Sequence, residues 1–401
     1  MTAPVSTLLT PSSEAEVAQL VAAAAAAGEP LAIEGNGSKR ALLRPVQAAR
    51  TLTTRGLTGI TLYKPSELVL SARAGTPLPE IEAALAEHGQ MIAPEPPDTR
   101  AIFGSDRPST LGGIVASNLS GPRRITAGAM RDHVLGVRFV NGAGEVQRNG
   151  GRVLKNVTGL DLCKLLTGSY GTLGVLTEVT IKVLPAAEAS ATLVVAVRDV
   201  AAGVRALSAG LTSPYGVTGA ALLTDGAMLG MGGAVALLRL EDFLESVTYR
   251  AARLRDDLAA RGQVTLVAQH ASRALWRSVR DATPLGATAE EAIWRVSVRP
   301  SAAPAVAAGL QSAFGARLMF DWGGGLVWVA GPATEAAHAA VAEAAAASRG
   351  SHTLFRAPEP LRAAVPVLPA EAPALAEIGA RVKAALDPAG VLNPGRMRAG
   401  S

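Results

Sequence analysis

Hydrophobic and polar positions along the chain divide it into a run of short elements. Ser13 and Glu16 stand at capping-box spacing, and Gly28 sits where a helix stop belongs, so the pattern predicts a first helix between them. Residues 31–33 read as a short buried strand, and further strands are predicted over 51–54, 59–63 and 68–72. A helix is expected over 79–88, with Pro79 early and Gly89 after its end. Residues 134–140 and 145–148 flank Asn141-Gly142-Ala143-Gly144, a hairpin signal. A strand over 175–183 ends at Pro185, and the small-residue stretch 186–190 marks a boundary.

Beyond that boundary strands are expected over 192–197, 219–223, 235–240, 264–267, 294–298, 317–320 and 326–329, and helices over 201–211, 244–261, 303–314 and 334–348. This is an α+β pattern: one antiparallel sheet covered by helices on one face. A short helix and a Pro- and Gly-punctuated tail occupy 375–397. The resulting division is 1–185, 186–350 and 351–401, the last segment returning to the first domain. No fixed-period repeat is present.

The chain has 401 residues, 49% hydrophobic and 18% charged, a globular composition sufficient for two domains. Its net charge is +5, but the arginines are scattered and aromatics make up only 3%, which argues against nucleic acid. An acidic partner subunit or an anionic substrate fits the charge equally well. Cys163 is the single cysteine, so neither an intrachain disulfide nor a self-contained iron–sulfur cluster is available. No basic stretch followed by an apolar run opens the sequence, and residues 21–27 are too short to span a bilayer. The expectation is a cytoplasmic protein, peripheral to a membrane if associated with one at all.

Three small-residue motifs could carry chemistry. In the first, Gly35-Asn36-Gly37-Ser38-Lys39, a glycine-rich turn after a strand can present N–H groups to phosphate, with Ser38 and Lys39 adding a hydroxyl and a charge. The alternative is a plain tight turn. A Rossmann fingerprint fails, because Arg40 occupies the third glycine position and Pro45 interrupts any following helix; a P-loop ending is also missing. The second motif, 109–121, contains Thr110, Leu111, Gly112, Gly113, Ala116, Ser117 and Gly121, small or neutral residues that let backbone approach a flat ligand. Its alternative is a closely packed turn. The third, 155–178, spaces Gly168, Gly171 and Gly174 by threes ahead of Val175. Cys163 lies on the apolar face of a short helix within it and reads as core.

Taken together in order and spacing, with 74–78, 128–132, 141–145 and 386–397, these motifs resemble the FAD-binding domain of the vanillyl-alcohol oxidase and p-cresol methylhydroxylase (PCMH) superfamily. The run Leu386 to Met397 resembles the D-lactate and glycolate dehydrogenase branch, and 293–297 with 320–328 resemble the smaller FAD-binding subunit of bacterial glycolate oxidases. The resemblance implies a two-subdomain PCMH-type FAD-binding domain plus a second domain whose antiparallel sheet is covered by helices. It implies that Gly35, Asn36, Gly37, Ser38 and Lys39 hold the FAD pyrophosphate. Pro94, Thr110, Leu111, Gly112, Gly113, Ala116, Ser117 and Gly121 would line the flavin and ribityl chain. Gly168, Gly171, Gly174 and Val175 would pack on the adenine half, and Asn393 and Arg396 would return toward the isoalloxazine ring. No His precedes His88, so FAD is expected to be non-covalent. The implied partners are a larger FAD-binding catalytic subunit, an iron–sulfur subunit and a small 2-hydroxy acid such as glycolate. The alternatives are a self-sufficient D-2-hydroxy-acid dehydrogenase and a flavin-free scaffold.

One departure matters. Catalytic members of the branch carry an H-x-G-D-G-N-x-H motif that binds a metal and helps remove a proton. The five histidines here, His88, His133, His270, His338 and His352, contain no such pattern, and the expected metal is none. Catalytic residues are therefore unassigned, with His270 and His352 as weak candidates. Asp321-Trp322 reads either as cleft-facing or as a hairpin turn. Trp276, Arg277, Arg280 and Arg295 suit a carboxylate or an acidic surface.

Overall fold

The computed structural model describes residues 7–151 and 159–400. Lys155 to Thr158 of the third motif lie outside them. The chain forms two units, Met1–Ser120 with Gly128–Ala186 and Ala370–Ser401, and Gly121–Ala127 with Ala187–Pro369.

The first unit holds two principal sheets. Strands Thr7–Leu9, Arg50–Thr53 and Leu31–Glu34 pair in parallel in that order. An antiparallel sheet runs Ile60–Lys64, Val69–Arg73, Val175–Lys182, Val134–Val140, Val146–Gly150. Helix Glu14–Ala27 joins them. Ser13 Oγ accepts from the Glu16 N–H, and Gly28 closes the helix at φ +64°. The Glu16 carboxylate reaches back to Ser12, one residue earlier than a capping box requires. Val17, Val21 and Ala24 are fully buried with Leu31, Leu52 and Leu392 beside the parallel sheet and Val140 and Val175 from the other. Each such aliphatic side chain contributes about 1.5–3 kcal/mol by leaving water, so this helix is what welds the two sheets.

The second unit is built on one eight-stranded antiparallel sheet, ordered Val264–Ala268, Ala189–Val197, Ala234–Asp242, Gly219–Leu223, Arg317–Asp321, Leu326–Gly331, Ala292–Ser297, Ser351–Arg356. Helix Val200–Leu211 lies against the face bearing Leu222 and Leu238, where Gly203 and Gly210 leave no room for a Cβ. Helix Gln269–Arg280, which the sequence pattern did not predict, covers the opposite face: Trp276 Nε1 donates to Thr192 Oγ1 at 2.8 Å, and Ser272 Oγ bonds those of Ser190 and Thr192.

Two boundaries differ from expectation. Strand Ser351–Arg356 pairs with Ala292–Ser297, so the chain returns to the first unit at Ala370 and not at residue 351. Residues 121–127 group with the second unit. There Trp322 Nε1 donates to the Gly121 carbonyl at 3.1 Å, and Arg123 grips Glu241 with two bonds of 2.9 and 2.7 Å. Gly121 is thus held by the second unit, not by the domain in which the sequence placed it.

Candidate cofactor site

The strongest site in the first unit begins where strand Leu31–Glu34 ends. Arg40 folds back onto Glu34 through bonds of 2.7 and 2.6 Å. The Arg396 guanidinium donates to the carbonyls of Lys39, Arg40 and Arg44 at 3.1–3.2 Å. Asn36 Nδ2 donates to the Pro108 carbonyl at 3.0 Å. These bonds occupy the carbonyls of Lys39, Arg40 and Arg44 and the Asn36 side chain. Its backbone donors are left over: among the described residues the N–H groups of Asn36, Gly37, Ser38 and Lys39 meet no protein acceptor. Four consecutive N–H donors form a concavity suited to an anion.

Lys39 supports that reading. Its Nζ lies 2.9 Å from Ser109 Oγ and 3.4 Å from Ser38 Oγ, with no carboxylate in bonding range. Burial pushes its ammonium down to about 8, with Asp98 opposing the shift. Two glycines let the loop and the second motif approach closely. A Cβ on Gly35 would stand 2.3 Å from Thr110 Oγ1, and one on Gly113 would stand 3.5 Å from Lys39 Nζ. Pro94 lies in the buried loop that also carries Asp98, where the Thr99 hydroxyl is buried without a hydrogen-bond partner.

The second motif folds differently from expectation. Leu111–Ser117 is a helix capped by Thr110, whose Oγ1 accepts from the Gly113 N–H at 3.2 Å. The Leu111 and Gly112 N–H groups donate to Thr76 and Ala74 carbonyls at 3.0 and 2.8 Å, and Ile114 donates to Thr110. These first-turn donors are consumed internally, so the helix offers a ligand close approach but not free N–H groups. Ser117 Oγ likewise turns back to the Gly113 carbonyl at 2.6 Å. The carbonyls of Val115 and Ala116 accept from Gly168 and Tyr170 at 3.1 and 2.8 Å, which docks the third motif on this helix.

Gly171 is required at φ +72°, with its missing Cβ only 2.8 Å from Asn393 Nδ2. Gly174 makes room for the Phe139 ring, and Val175 is core. Asn393 bridges Ile33 and Tyr170 with bonds of 2.7, 3.3 and 2.8 Å. Asn393 and Arg396, expected near a flavin ring, thus spend these donors on backbone carbonyls and position the loops. Ser109, Asp98 and Thr99 were missed. Ser109 lay inside the second motif, and the other two carried no signal beyond Pro94 nearby.

The remaining chemical candidates are inert by environment. Cys163 is buried, its thiol pushed up to about 11 by burial with Asp161 adding. His338 and His352 pack edge to face, ring centres 5.5 Å apart, and Trp294 Nε1 donates to His338 Nδ1 at 3.2 Å. Asp321 and Trp322 form the turn between strands Arg317–Asp321 and Leu326–Gly331.

Over 92% of its length the chain is 38% identical to the glycolate oxidase subunit GlcE of Escherichia coli K12, covering 93% of that protein. The chain belongs to that protein's family. The profile of an FAD binding domain matches residues 5–150. A D-lactate dehydrogenase of Archaeoglobus fulgidus is 31% identical over 44% of this chain and 38% of its own. The fold matches p-cresol methylhydroxylase with substrate bound, at TM-score 0.72 and 14% identity over 97% of this chain and 88% of that one. A 4-ethylphenol oxidase of Gulosibacter chungangensis matches at TM-score 0.74 and 15% identity, over 98% and 88%. FAD is the cofactor, and the chain is an FAD-dependent oxidoreductase. The loop fits that dinucleotide: unpartnered N–H groups and a half-buried cation without a carboxylate in bonding range suit a pyrophosphate.

Proposed function

We propose that this chain is the FAD-carrying subunit of a multi-subunit glycolate oxidase. The observation that carries the cofactor half of the proposal is the row of unpartnered N–H groups from Asn36 to Lys39 beside a lysine that has only hydroxyl partners. The substrate half rests on the likeness to a glycolate oxidase subunit along nearly the whole chain. Bound FAD supplies a two-electron acceptor. Residues 36–39 bind its pyrophosphate non-covalently, with Thr110 and Gly113 close beside it, and Arg396 and Asn393 hold the binding loops in place.

Oxidation of glycolate to glyoxylate also needs a base for the hydroxyl proton. Among the described residues no three His, Cys, Asp or Glu side chains converge, and the two paired histidines are buried. A larger FAD-binding subunit therefore performs proton abstraction, and an iron–sulfur subunit receives the electrons. Among the described residues no helix is long and apolar enough to cross a membrane.

The test is the visible spectrum of the purified chain with and without glycolate. The expected result is flavin absorbance that glycolate leaves unbleached until the partner subunits are added. Bleaching of the isolated chain would establish the self-sufficient dehydrogenase instead. A colourless protein that fails to take up added FAD would leave the scaffold reading.

A further inference from the structure

An ion pair stands against the middle of the 35–39 loop. Glu34 ends the strand that leads into the loop, and Arg40 is the first residue after it. Their side chains meet across the loop: Arg40 Nε and Nη2 donate to the two Glu34 carboxylate oxygens at 2.7 and 2.6 Å. The pair is seated on Gly37, which takes φ +72°. A Cβ there would stand 3.0 and 3.1 Å from the two Arg40 nitrogens and 3.1 Å from Glu34 Oε1. The pair is therefore packed against backbone in the middle of the row of unpartnered N–H groups.

The two members are unequal. The Glu34 side chain is 15% exposed and that of Arg40 65%. The carboxylate is the shielded partner, and the guanidinium faces water. A carboxylate largely out of water beside an anion site repels an arriving anion, and salt screens that repulsion less than at an open surface. A bidentate guanidinium offsets the charge. Bracing the loop does not call for this carboxylate, because a neutral amide would accept from the same guanidinium.

We propose that Glu34 and Arg40 set the affinity of the loop for the FAD pyrophosphate in opposite senses. Glu34 is an internal competitor whose negative charge opposes the pyrophosphate, and Arg40 is the cation that masks it. The mask is partial, because most of the guanidinium surface is spent on water. The inference rests on residues 36–39 holding the pyrophosphate and adds the two residues that flank the row. A simple brace makes the contrary prediction: each substitution would weaken binding, and the double variant would weaken it most.

The experiment is fluorescence titration of FAD into the flavin-stripped full chain at low ionic strength. Glu34→Gln keeps an acceptor for Arg40 and removes only the charge, so it should lower the FAD Kd about fivefold. Arg40→Gln should raise Kd about tenfold. Arg40→Lys keeps the charge without the fork and should stay within about threefold of wild type. Glu34→Gln combined with Arg40→Gln should return to within about twofold of wild type, because the mask and the masked charge leave together. The effects of Glu34→Gln and Arg40→Gln should shrink as salt is added. Tighter binding by Glu34→Gln does not arise from misfolding, so that arm holds whatever Arg40→Gln does to stability. A Kd unchanged or raised by Glu34→Gln, or a double variant no better than Arg40→Gln, overturns the proposal while wild-type binding upholds the cofactor site. A wild-type chain that takes up no FAD overturns the cofactor site itself, and this proposal with it.

Discussion

Replacing Lys39 with methionine should push stability and cofactor binding in opposite directions. Burial holds the Lys39 ammonium near 8 instead of 10.5. At 1.36 kcal/mol per pKa unit the full shift corresponds to about 3 kcal/mol, and the partial solvent access of this side chain reduces it to about 1–2 kcal/mol. The sign follows from the direction. The folded protein disfavours the charged form, so the penalty is complete below about pH 8 and fades as pH rises toward 10.5. At pH 7 the flavin-free methionine variant is expected to be more stable by about 1–2 kcal/mol. In the proposed site the same change should remove charged hydrogen bonds to a pyrophosphate worth about 2 kcal/mol, raising the FAD Kd about 30-fold. Above about pH 8 the wild-type site must take up a proton to bind, so its affinity should fall with pH, up to about tenfold per unit, while that of the variant stays flat. Urea unfolding of the flavin-free protein and FAD fluorescence titration from pH 6 to 10 measure both effects. A variant less stable than wild type, with Kd changed less than twofold, would refute this account of Lys39.

Arg396→Gln should free the carbonyls of Lys39, Arg40 and Arg44 and weaken FAD binding about tenfold; Arg396→Lys should not restore it, because the carbonyls are held by two separate guanidinium nitrogens whose planar fork a single ammonium does not reproduce. Gly171→Ala forces a side chain to φ +72° against the Asn393 amide and should cost about 2 kcal/mol, read as a fall in Tm. His352 is pushed down to about 4 by burial, with His338 adding, so the second unit should lose stability as pH falls from 6.5 toward 4. The loss should be about 2 kcal/mol after discounting for solvent, and His352→Leu should flatten that acid limb in unfolding curves taken at successive pH values.

Local signals decided much of the fold. Ser13 and Gly28 bound the first helix because each satisfies helix-end groups by itself, and Asn141 to Gly144 form the hairpin link for the same local reason. Helix Gln269–Arg280 escaped notice because its N-cap, Ala268, offers no capping side chain and Gln269 starts at φ +50°. Leu111–Ser117 looked like a turn because glycines lower helix propensity; what fixes it is long-range, the Ala74 and Thr76 carbonyls that take its first donors. The site divided in the same way. The 35–39 loop was readable from its glycines, but the clamp on its carbonyls comes from Arg396, more than 350 residues away in sequence. Buried polar groups such as Thr99 leave no pattern at all.

Asn393 bonding to Ile33 spans 360 residues. During synthesis the second unit, which lies between, has fully emerged before the first can close. The strand that leads into the cofactor loop lacks its neighbour at Leu392, and the loop lacks its clamp, until residue 396 clears the ribosome. The 35–39 loop is therefore complete only after residue 396 has emerged, and the long wait leaves strand Leu31–Glu34 an open edge. A slow stretch of translation late in the message would lengthen the interval in which the nascent chain depends on chaperones.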